Sequence, residues 1–315
     1  MDNKQRYRTL CETEISIPIY SRDWWLDCVC GEDNWDVLIY DEKDRIEAAM
    51  PYYRLSRNII TMPSQCQTMG IWFNPAFEHK QYPTNLHRRR KISTWFIENL
   101  PSHKVFLQTF HHSYTDWLPF YWKGYKQTVR YTYILPDISD HELLFENIKN
   151  NVHRNLKKAK RNNLEIRKGI PVEQFLTIYG KTFINKGMKV YAPDKLHRLI
   201  DKSVQRGQGE ILGAYDKSGN LCAALFVVWQ ESCAYHIAGS SDPDYKEIGA
   251  FPSLIWETIR FVSSYSRAYD FEGSMLPGVE RLCREFGGIQ FPYFQISKND
   301  NFFTRKLQSI LRRFQ

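Results

Sequence analysis

In two stretches of this chain, hydrophobic and polar residues are arranged in the way that is typical of β-hairpins. Residues 35–54 read WDVLIYDEKDRIEAAMPYYR, which predicts two strands around a polar turn. Residues 210–229 read EILGAYDKSGNLCAALFVVW and predict a second hairpin with a clearer turn. Stretches with helical spacing follow the hairpins at 86–100 and 252–265. The pattern therefore predicts an α/β protein.

The same order of elements occurs twice. Aligned without gaps, the two hairpins pair Tyr40 with Tyr215 and Ala48 with Ala223. Further on, VFLQTF in the first half and AYDFEGS in the second are each followed by a short segment, a glycine and a strand. Two matching blocks in the same order indicate a duplicated α/β unit with a mixed sheet in each copy.

The second half carries helical segments that have no counterpart in the first. One is predicted from Asp140 to Asn162, with Phe145 and four further apolar residues on one stripe. Two more amphipathic stretches follow at 172–186 and 194–205. The polar segment after Pro136 is the natural boundary, so we predict domains at 1–138 and 139–315.

Charge and composition narrow the function only a little. The 43 Lys and Arg against 35 Asp and Glu give a net charge of +8, which favours polyanionic partners such as phosphates, tRNA or acidic lipids. The seven cysteines form no CxxC pair, which argues against a zinc site or a disulfide framework. No apolar leader or membrane-length stretch is present, so a soluble, cytoplasmic protein is expected. The basic amphipathic tail at 301–315 is expected to dock on its domain, with transient membrane contact as the alternative.

Four segments of the second half resemble the GNAT-like acyltransferase domain of the Fem peptidyltransferases. They read NVHRNLKKAKRNNLEI, DKSGNLCAALFVVW, AYHIAGSSDPDYKEIGAFPSLIWETI and YDFEGSMLPGVERLCREFGG. Fem-type proteins have two GNAT-like halves, which agrees with the repeat. The resemblance therefore implies two tandem GNAT-like domains, with the first on the acceptor side and the chemistry in the second.

The resemblance implies transfer of an acyl group to an amine. The expected donor is acyl-CoA, and the expected acceptor is a cell-envelope precursor or a peptide-like amine. An aminoacyl-tRNA-dependent peptidyltransferase of peptidoglycan bridges is the alternative. It is weakened because Leu282-Cys283 stands where those enzymes have Phe-Lys. A non-catalytic polyanion-binding protein on a decayed GNAT fold is the alternative from another class.

In a GNAT fold two neighbouring strands separate, and the donor phosphates bind at a helix N-terminus. The separating strands are predicted at 232–240 and 267–273. The phosphate loop is predicted at Lys246, Gly249, Ala250 and Phe251, with the helix beginning near Gly249-Ala250. Phe251 departs from the usual Gly or Ala at the last loop position, and the other interpretation is an ordinary glycine before a helix.

Three residues are candidates for proton transfer. Glu272 follows the predicted central strand and is the candidate base, or else a cap for the turn at Ser274. If the strand stays regular, Asp270 shares a face with Glu272. His236 is a second candidate base or a half-buried structural histidine, and Tyr293 is a candidate acid for a leaving thiolate or a packing residue.

Two basic runs and one histidine cluster complete the candidates. Residues 88–91 read RRRK, and a second run predicts a polyanion-binding helix face through Arg154, Lys157, Lys158 and Arg161. His111-His112 lacks a third ligand with suitable spacing, so no metal site is predicted.

Overall fold

The computed structural model describes residues 1–42, 45–184 and 192–299. Its helices are α1 (Asn3–Thr13), α2 (Asp23–Cys30), α3 (Tyr82–Asn99), α4 (Leu118–Trp122), α5 (His141–Asn147), α6 (Asn150–Arg161), α7 (Val172–Ile184), α8 (Pro193–Gln205), α9 (Ala250–Val262) and α10 (Pro277–Glu285). Its strands are β1 (Trp35–Glu42), β2 (Arg45–Ser56), β3 (Ile59–Thr61), β4 (Trp72–Phe73), β5 (Val105–Thr109), β6 (Lys126–Leu135), β7 (Glu165–Lys168), β8 (Gly209–Tyr215), β9 (Leu221–Trp229), β10 (Cys233–Ser241), β11 (Ala268–Asp270) and β12 (Ile289–Lys298).

The chain divides into two compact units. The first contains Met1–Tyr131 and the described residues from Pro292 onward, and the second contains Thr132–Phe291. The boundaries fall inside β6 and β12, so each of these strands begins in one unit and ends in the other. No helix among the described residues is both long and apolar enough to cross a bilayer.

The first unit is built on a mixed sheet in the order β1-β2-β3-β5-β12. β1 and β2 form an antiparallel hairpin, and β3 is antiparallel to β2. β5 is parallel to β3, and the end of β12 is antiparallel to β5. Tyr52, Phe96, Phe106 and Phe120 pack with Ile296 of β12 in one buried cluster.

The second unit repeats this arrangement. β8 and β9 form the hairpin, β10 is antiparallel to β9, and β11 is parallel to β10. The end of β6 is antiparallel to β11, and β7 pairs with the other edge of β8. The α/β fold class with a mixed sheet is confirmed, and the strand order that the repeat predicted is present in both units.

The last strand of each copy is exchanged. β6 follows β5 in sequence, yet its final residues complete the sheet of the second unit beside β11. β12 follows β11, and its final residues complete the first unit beside β5. These units therefore differ from the sequence division at 138/139, which assigned every later residue to the second domain.

Local sequence accounts for the central strand and for one wrong boundary. β9 lies between β8 and β10 and is buried from Cys222 to Val228, which explains its continuous apolar run. The helix predicted from Asp140 to Asn162 is instead two helices, because Ile148 and Lys149 have extended backbone. Phe145, predicted on the buried stripe, is 42% exposed. The tail at 301–315 and the end of the helix predicted to residue 186 lie outside the described residues.

The strand exchange predicts which end of β12 supports the first unit. Ile296 is fully buried opposite Gln108, whereas Ile289 of the same strand is 52% exposed. Ile296→Ala is expected to lower the free energy of unfolding of the first unit by about 2–5 kcal/mol, because it leaves a cavity in the core. Urea unfolding followed by tryptophan fluorescence measures this, since seven of the nine tryptophans belong to the first unit.

Ile289→Ala is the matched control, and it is expected to change stability by less than about 0.5 kcal/mol because the side chain is exposed. Equal effects of the two substitutions would contradict the assignment of the β12 end to the first core.

Candidate active site

In the second unit, β10 pairs with its parallel neighbour β11 over only part of the length of β10. β10 and β11 pair from Cys233–Ala268 to Tyr235–Asp270, and the described residues show no pair beyond that point. β10 continues to Ser241, and its register with β9 shifts between His236 and Ala238. Such an irregularity bends a strand and re-aims its side chains. The pairing therefore ends where β11 ends, at Asp270, whereas the sequence predicted that this strand continues to residue 273.

His236 lies on β10 directly after the last pair. Its Nδ1 is 3.2 Å from the hydroxyl oxygen of Tyr269, and its ring makes an edge contact with Phe251 at 6.0 Å between centroids. Burial lowers the pKa of His236 to about 4, so the imidazole is neutral at pH 7. A group with so low a pKa is a weak base for an ammonium, and the geometry favours a hydrogen-bonding role.

Gly239 provides the space in which these two rings lie. A Cβ atom at this position would be 2.7 Å from Nε2 of His236 and 2.9 Å from the ring of Phe251. Any side chain would therefore displace one of the two rings. This residue was missed in the sequence, where a single glycine inside a strand was the available signal.

Glu272 and Asp270 occupy the end of β11. The N–H of Glu272 donates to Oδ1 of Asp270 at 2.8 Å, and the hydroxyl of Thr132 donates to the same oxygen. Glu272 has a φ of +65°, so the strand is not regular here and the expected common face is wrong. Asp270 is buried, which raises the pKa of its carboxyl to about 6. Asp270 thus caps the turn, a role considered for Glu272.

The segment predicted as the phosphate loop forms a turn directly before α9. A 3-10 helix at Pro243–Ile248 ends at Gly249, which has a φ of +80°, and α9 begins at Ala250 as predicted. The first amide groups of a helix lack partners within the helix, and its dipole attracts anions. Lys246 is exposed, but Gly249 and Ala250 are buried.

The basic helix α6 covers this loop. The backbone carbonyl of Asn155 lies where a Cβ atom of Gly249 would be, which leaves no space for a side chain. The ammonium of Lys158 is 3.4 Å from a carboxylate oxygen of Glu247. Val152 is buried on the opposite flank of the helix from its exposed cations. The structure therefore brings together two candidate sites, the predicted phosphate loop and the basic helix face, that no sequence pattern connects.

The two basic runs differ in how their charges are paired. In the first run Arg88 pairs with Glu47 and Glu42, and Arg90 pairs with Asp116 at 2.6 Å. Arg89 completes that network through Glu78. On α6, no carboxylate of the described chain lies within 4.0 Å of the cations other than Lys158, which are Arg154, Lys157, Lys160 and Arg161. The exposed, unneutralised charge is therefore on α6.

Two further candidates lie in the first unit. Tyr293 is buried within β12, among the residues assigned to that unit. The rings of His111 and His112 are 4.0 Å apart, and burial lowers the pKa of both. Within the described residues no three metal-ligating side chains are grouped closely enough to hold an ion.

In the first unit, a further segment of the chain continues the hydrogen bonding along β5 beyond the end of β3. Its parallel strands β3 and β5 pair at Ile60–Phe106, and a segment around Met69 then takes over. The N–H of Met69 donates to the carbonyl of Thr109 at 2.6 Å, and the N–H of His111 donates to the carbonyl of Met69 at 3.3 Å. The edge of β5 is therefore occupied by its own chain.

Comparison with known proteins gives one family match. Residues 148–281 match the model of the acetyltransferase (GNAT) domain, a range that includes α6, β10, β11 and α9. Among curated proteins, no sequence matches.

Solved structures share the fold over nearly the whole chain. FemX matches with a TM-score of 0.67 at 8% identity, over 97% of this chain and 98% of that one. The C-terminal domain of a protein assigned as a lysylphosphatidylglycerol synthetase from Agrobacterium fabrum matches with a TM-score of 0.57 at 9% identity, over 97% and 95%. L-PGS from Bacillus licheniformis matches with 0.52 at 9% identity, over 89% of each chain. At such identities the likeness concerns the fold.

The close approach of α6 to the loop can be tested with two glycines of nearly equal backbone conformation. Gly249 and Gly219 have φ values of +80° and +81°, but nothing lies within 4 Å of a Cβ at Gly219. Gly219→Ala is expected to cost about 1 kcal/mol of stability through backbone strain alone. Gly249→Ala is expected to cost about 1–3 kcal/mol more, because α6 must move.

Thermal or urea unfolding of the two variants measures this difference. A Gly249→Ala variant no less stable than Gly219→Ala would show that α6 does not pack on the loop in solution.

Proposed function

We propose that this chain, which has the fold of the Fem-type, GNAT-like acyltransferases, is an N-acyltransferase that moves an acyl group from a CoA-type donor to an amine. The acceptor is a cell-envelope precursor or a peptide-like amine. The observation that supports the proposal is the end of β10–β11 pairing at Tyr235 and Asp270, within the region that matches the GNAT domain. There the backbone of β10 offers hydrogen-bonding groups to an extended donor.

The second unit is the better place for the chemistry. In the first unit the corresponding strand edge is filled by the segment at Met69. In the second, the strand gap has Glu272 at one side and the ring of Phe251 near His236 at the other. Both an extended donor and an attacking amine need such a gap, so the reaction is assigned to the second unit. The first unit is then left for the acceptor side.

Glu272 acts as the base in this proposal. The acceptor amine has a pKa of about 10.4 in water if it is a lysine side chain, so it must lose a proton before it attacks. The carboxylate takes that proton directly or through a water molecule. The amine nitrogen then bonds to the acyl carbon, the carbon–sulfur bond breaks, and the thiolate leaves. Tyr293 remains the predicted acid for that thiolate.

The donor phosphates are proposed to bind on the exposed surface beside the start of α9, next to Lys246 and the exposed cations of α6. Lys246, Arg154 and Lys157 supply positive charge, and the α9 dipole adds to it. An aminoacyl-tRNA donor is the second candidate, because Gly249 and Ala250 are buried while the unpaired cations on α6 are exposed. An RNA backbone binds exposed cations and does not require the buried amides.

Glu272→Gln is expected to lower kcat by about 10²–10⁴-fold, because glutamine keeps the size of the side chain but cannot accept the proton. The assay is transfer of a labelled acetyl group from acetyl-CoA to lysine-containing and nucleotide-linked peptides. Unfolding temperature should change little. Glu231→Gln, in the exposed turn before β10, is the control and should leave kcat unchanged.

Near-normal turnover of Glu272→Gln would remove this residue as the base. Absence of transfer by the native chain to every peptide, together with tight binding of polyanions, would favour the non-catalytic alternative.

The donor is tested by binding to two charge-reversal variants. Lys246→Glu should weaken acetyl-CoA binding about tenfold by calorimetry, because it places a like charge near the pyrophosphate. Lys217→Glu changes the same charge in the exposed β8–β9 turn and should have little effect. If acetyl-CoA does not bind but tRNA does, and Arg154→Glu weakens the tRNA complex with a smaller salt dependence, the second candidate is correct.

A further inference from the structure

Two hydrogen bonds from β6 hold the end of β11. The N–H of Phe271 donates to the carbonyl of Tyr133 at 2.9 Å. The hydroxyl of Thr132 donates to Oδ1 of Asp270. The same carboxylate oxygen accepts the N–H of Glu272 at 2.8 Å. One buried carboxylate thus connects β6 with the backbone of Glu272.

This connection compensates for an unfavourable backbone conformation. Glu272 has a φ of +65° and Gly273 a φ of +55°. A left-handed conformation costs about 1–2 kcal/mol for a residue other than glycine, so neighbouring contacts must hold it. The hydrogen bond from the Glu272 N–H to Asp270 closes an Asx-type turn that tolerates this conformation.

We propose that Asp270 is a positioning residue, which fixes the direction of the Glu272 side chain by holding its N–H, and that Thr132 fixes Asp270 in turn. This inference rests on the proposed role of Glu272 as the base. A base is effective only when it lies within hydrogen-bonding distance of the proton that it takes, and displacements of about 1 Å cost about 10²-fold. An extended residue 272 would direct its carboxylate elsewhere.

The ionisation of Asp270 can be observed with little interference from the titratable groups around it. The titratable groups that interact with it are Cys233 and Tyr235 of β10, Tyr269 of its own strand and Cys283 of α10. Burial raises the pKa of each of these, so they stay protonated between pH 5 and about 8. Glu272 itself also ionises, but a shift caused by its own carboxyl persists in Asp270→Asn, whereas a shift caused by Asp270 is lost.

A nuclear magnetic resonance titration tests the geometry without any activity. In protein labelled with ¹⁵N-glutamate, the Glu272 amide is identified as the signal lost in Glu272→Gln. That amide proton is expected to shift with a midpoint near pH 6, the pKa of about 6 that burial gives to Asp270. The shift should vanish in Asp270→Asn. In Thr132→Val the midpoint should rise, because the hydroxyl stabilises the carboxylate, and Thr132→Ser should preserve it.

Kinetics tests the consequence. Asp270→Ala, which removes the oxygen that accepts the Glu272 N–H, and Thr132→Val are expected to lower kcat at least about tenfold with little change in KM, whereas Thr132→Ser stays near the native value. In a Glu272→Gln background, Asp270→Ala should cause no further loss, because the base is already absent. If Glu272→Gln is inactive while Asp270→Ala and Thr132→Val keep native kcat, the positioning role is wrong and the base assignment stands.

The reverse failure gives a different result. If Glu272→Gln keeps native turnover, the proposed base is wrong. An amide titration that is unchanged by Asp270→Asn would overturn the positioning geometry whatever the kinetics show.

Discussion

Backbone pairing between the parallel strands β10 and β11 ends at the pair Tyr235–Asp270, and the candidate site depends on that ending. Sheets gain their cohesion from continuous ladders, and backbone groups beyond the end of a ladder must be satisfied by water, by the chain or by a ligand. In the second unit, the described residues show no further pair between these two strands. The neighbouring bulge on β10, the glycine at 239 and the capped turn at Asp270 all shape the opening.

In the first unit, which has the same strand directions, the chain itself forms hydrogen bonds at the corresponding strand edge. Its segment around Met69 follows the edge of β5 and supplies the missing hydrogen bonds from within the chain. Two copies with the same strand directions have thus diverged at one position of the sheet. The difference is a short stretch of irregular chain beside one strand edge.

The sequence predicted those helices and strands that the local spacing of apolar residues determines. The hairpins, the helix before β5 and the helix at Ala250 were readable because apolar spacing and turn residues specify them over a few positions. The break at Ile148–Lys149 was not, since the apolar stripe continues through it. The early end of β11 was hidden as well, because a non-glycine residue with positive φ leaves no compositional mark. The pairing of β12 with β5 joins residues far apart in sequence, and no local pattern encodes it.

The exchange of β6 and β12 has a consequence for how the protein is made. During synthesis the first unit emerges with most of its core but without the strand that borders β5, since residues 295–298 follow the whole second unit in sequence. Until then the edge of β5 that pairs with β12 is exposed, and exposed edges pair with other chains. During synthesis there is therefore a long interval in which the first half of the sequence has been made but its sheet still lacks the end of β12. Because each sheet takes its last strand from the other half of the sequence, neither half of the sequence contains a whole sheet.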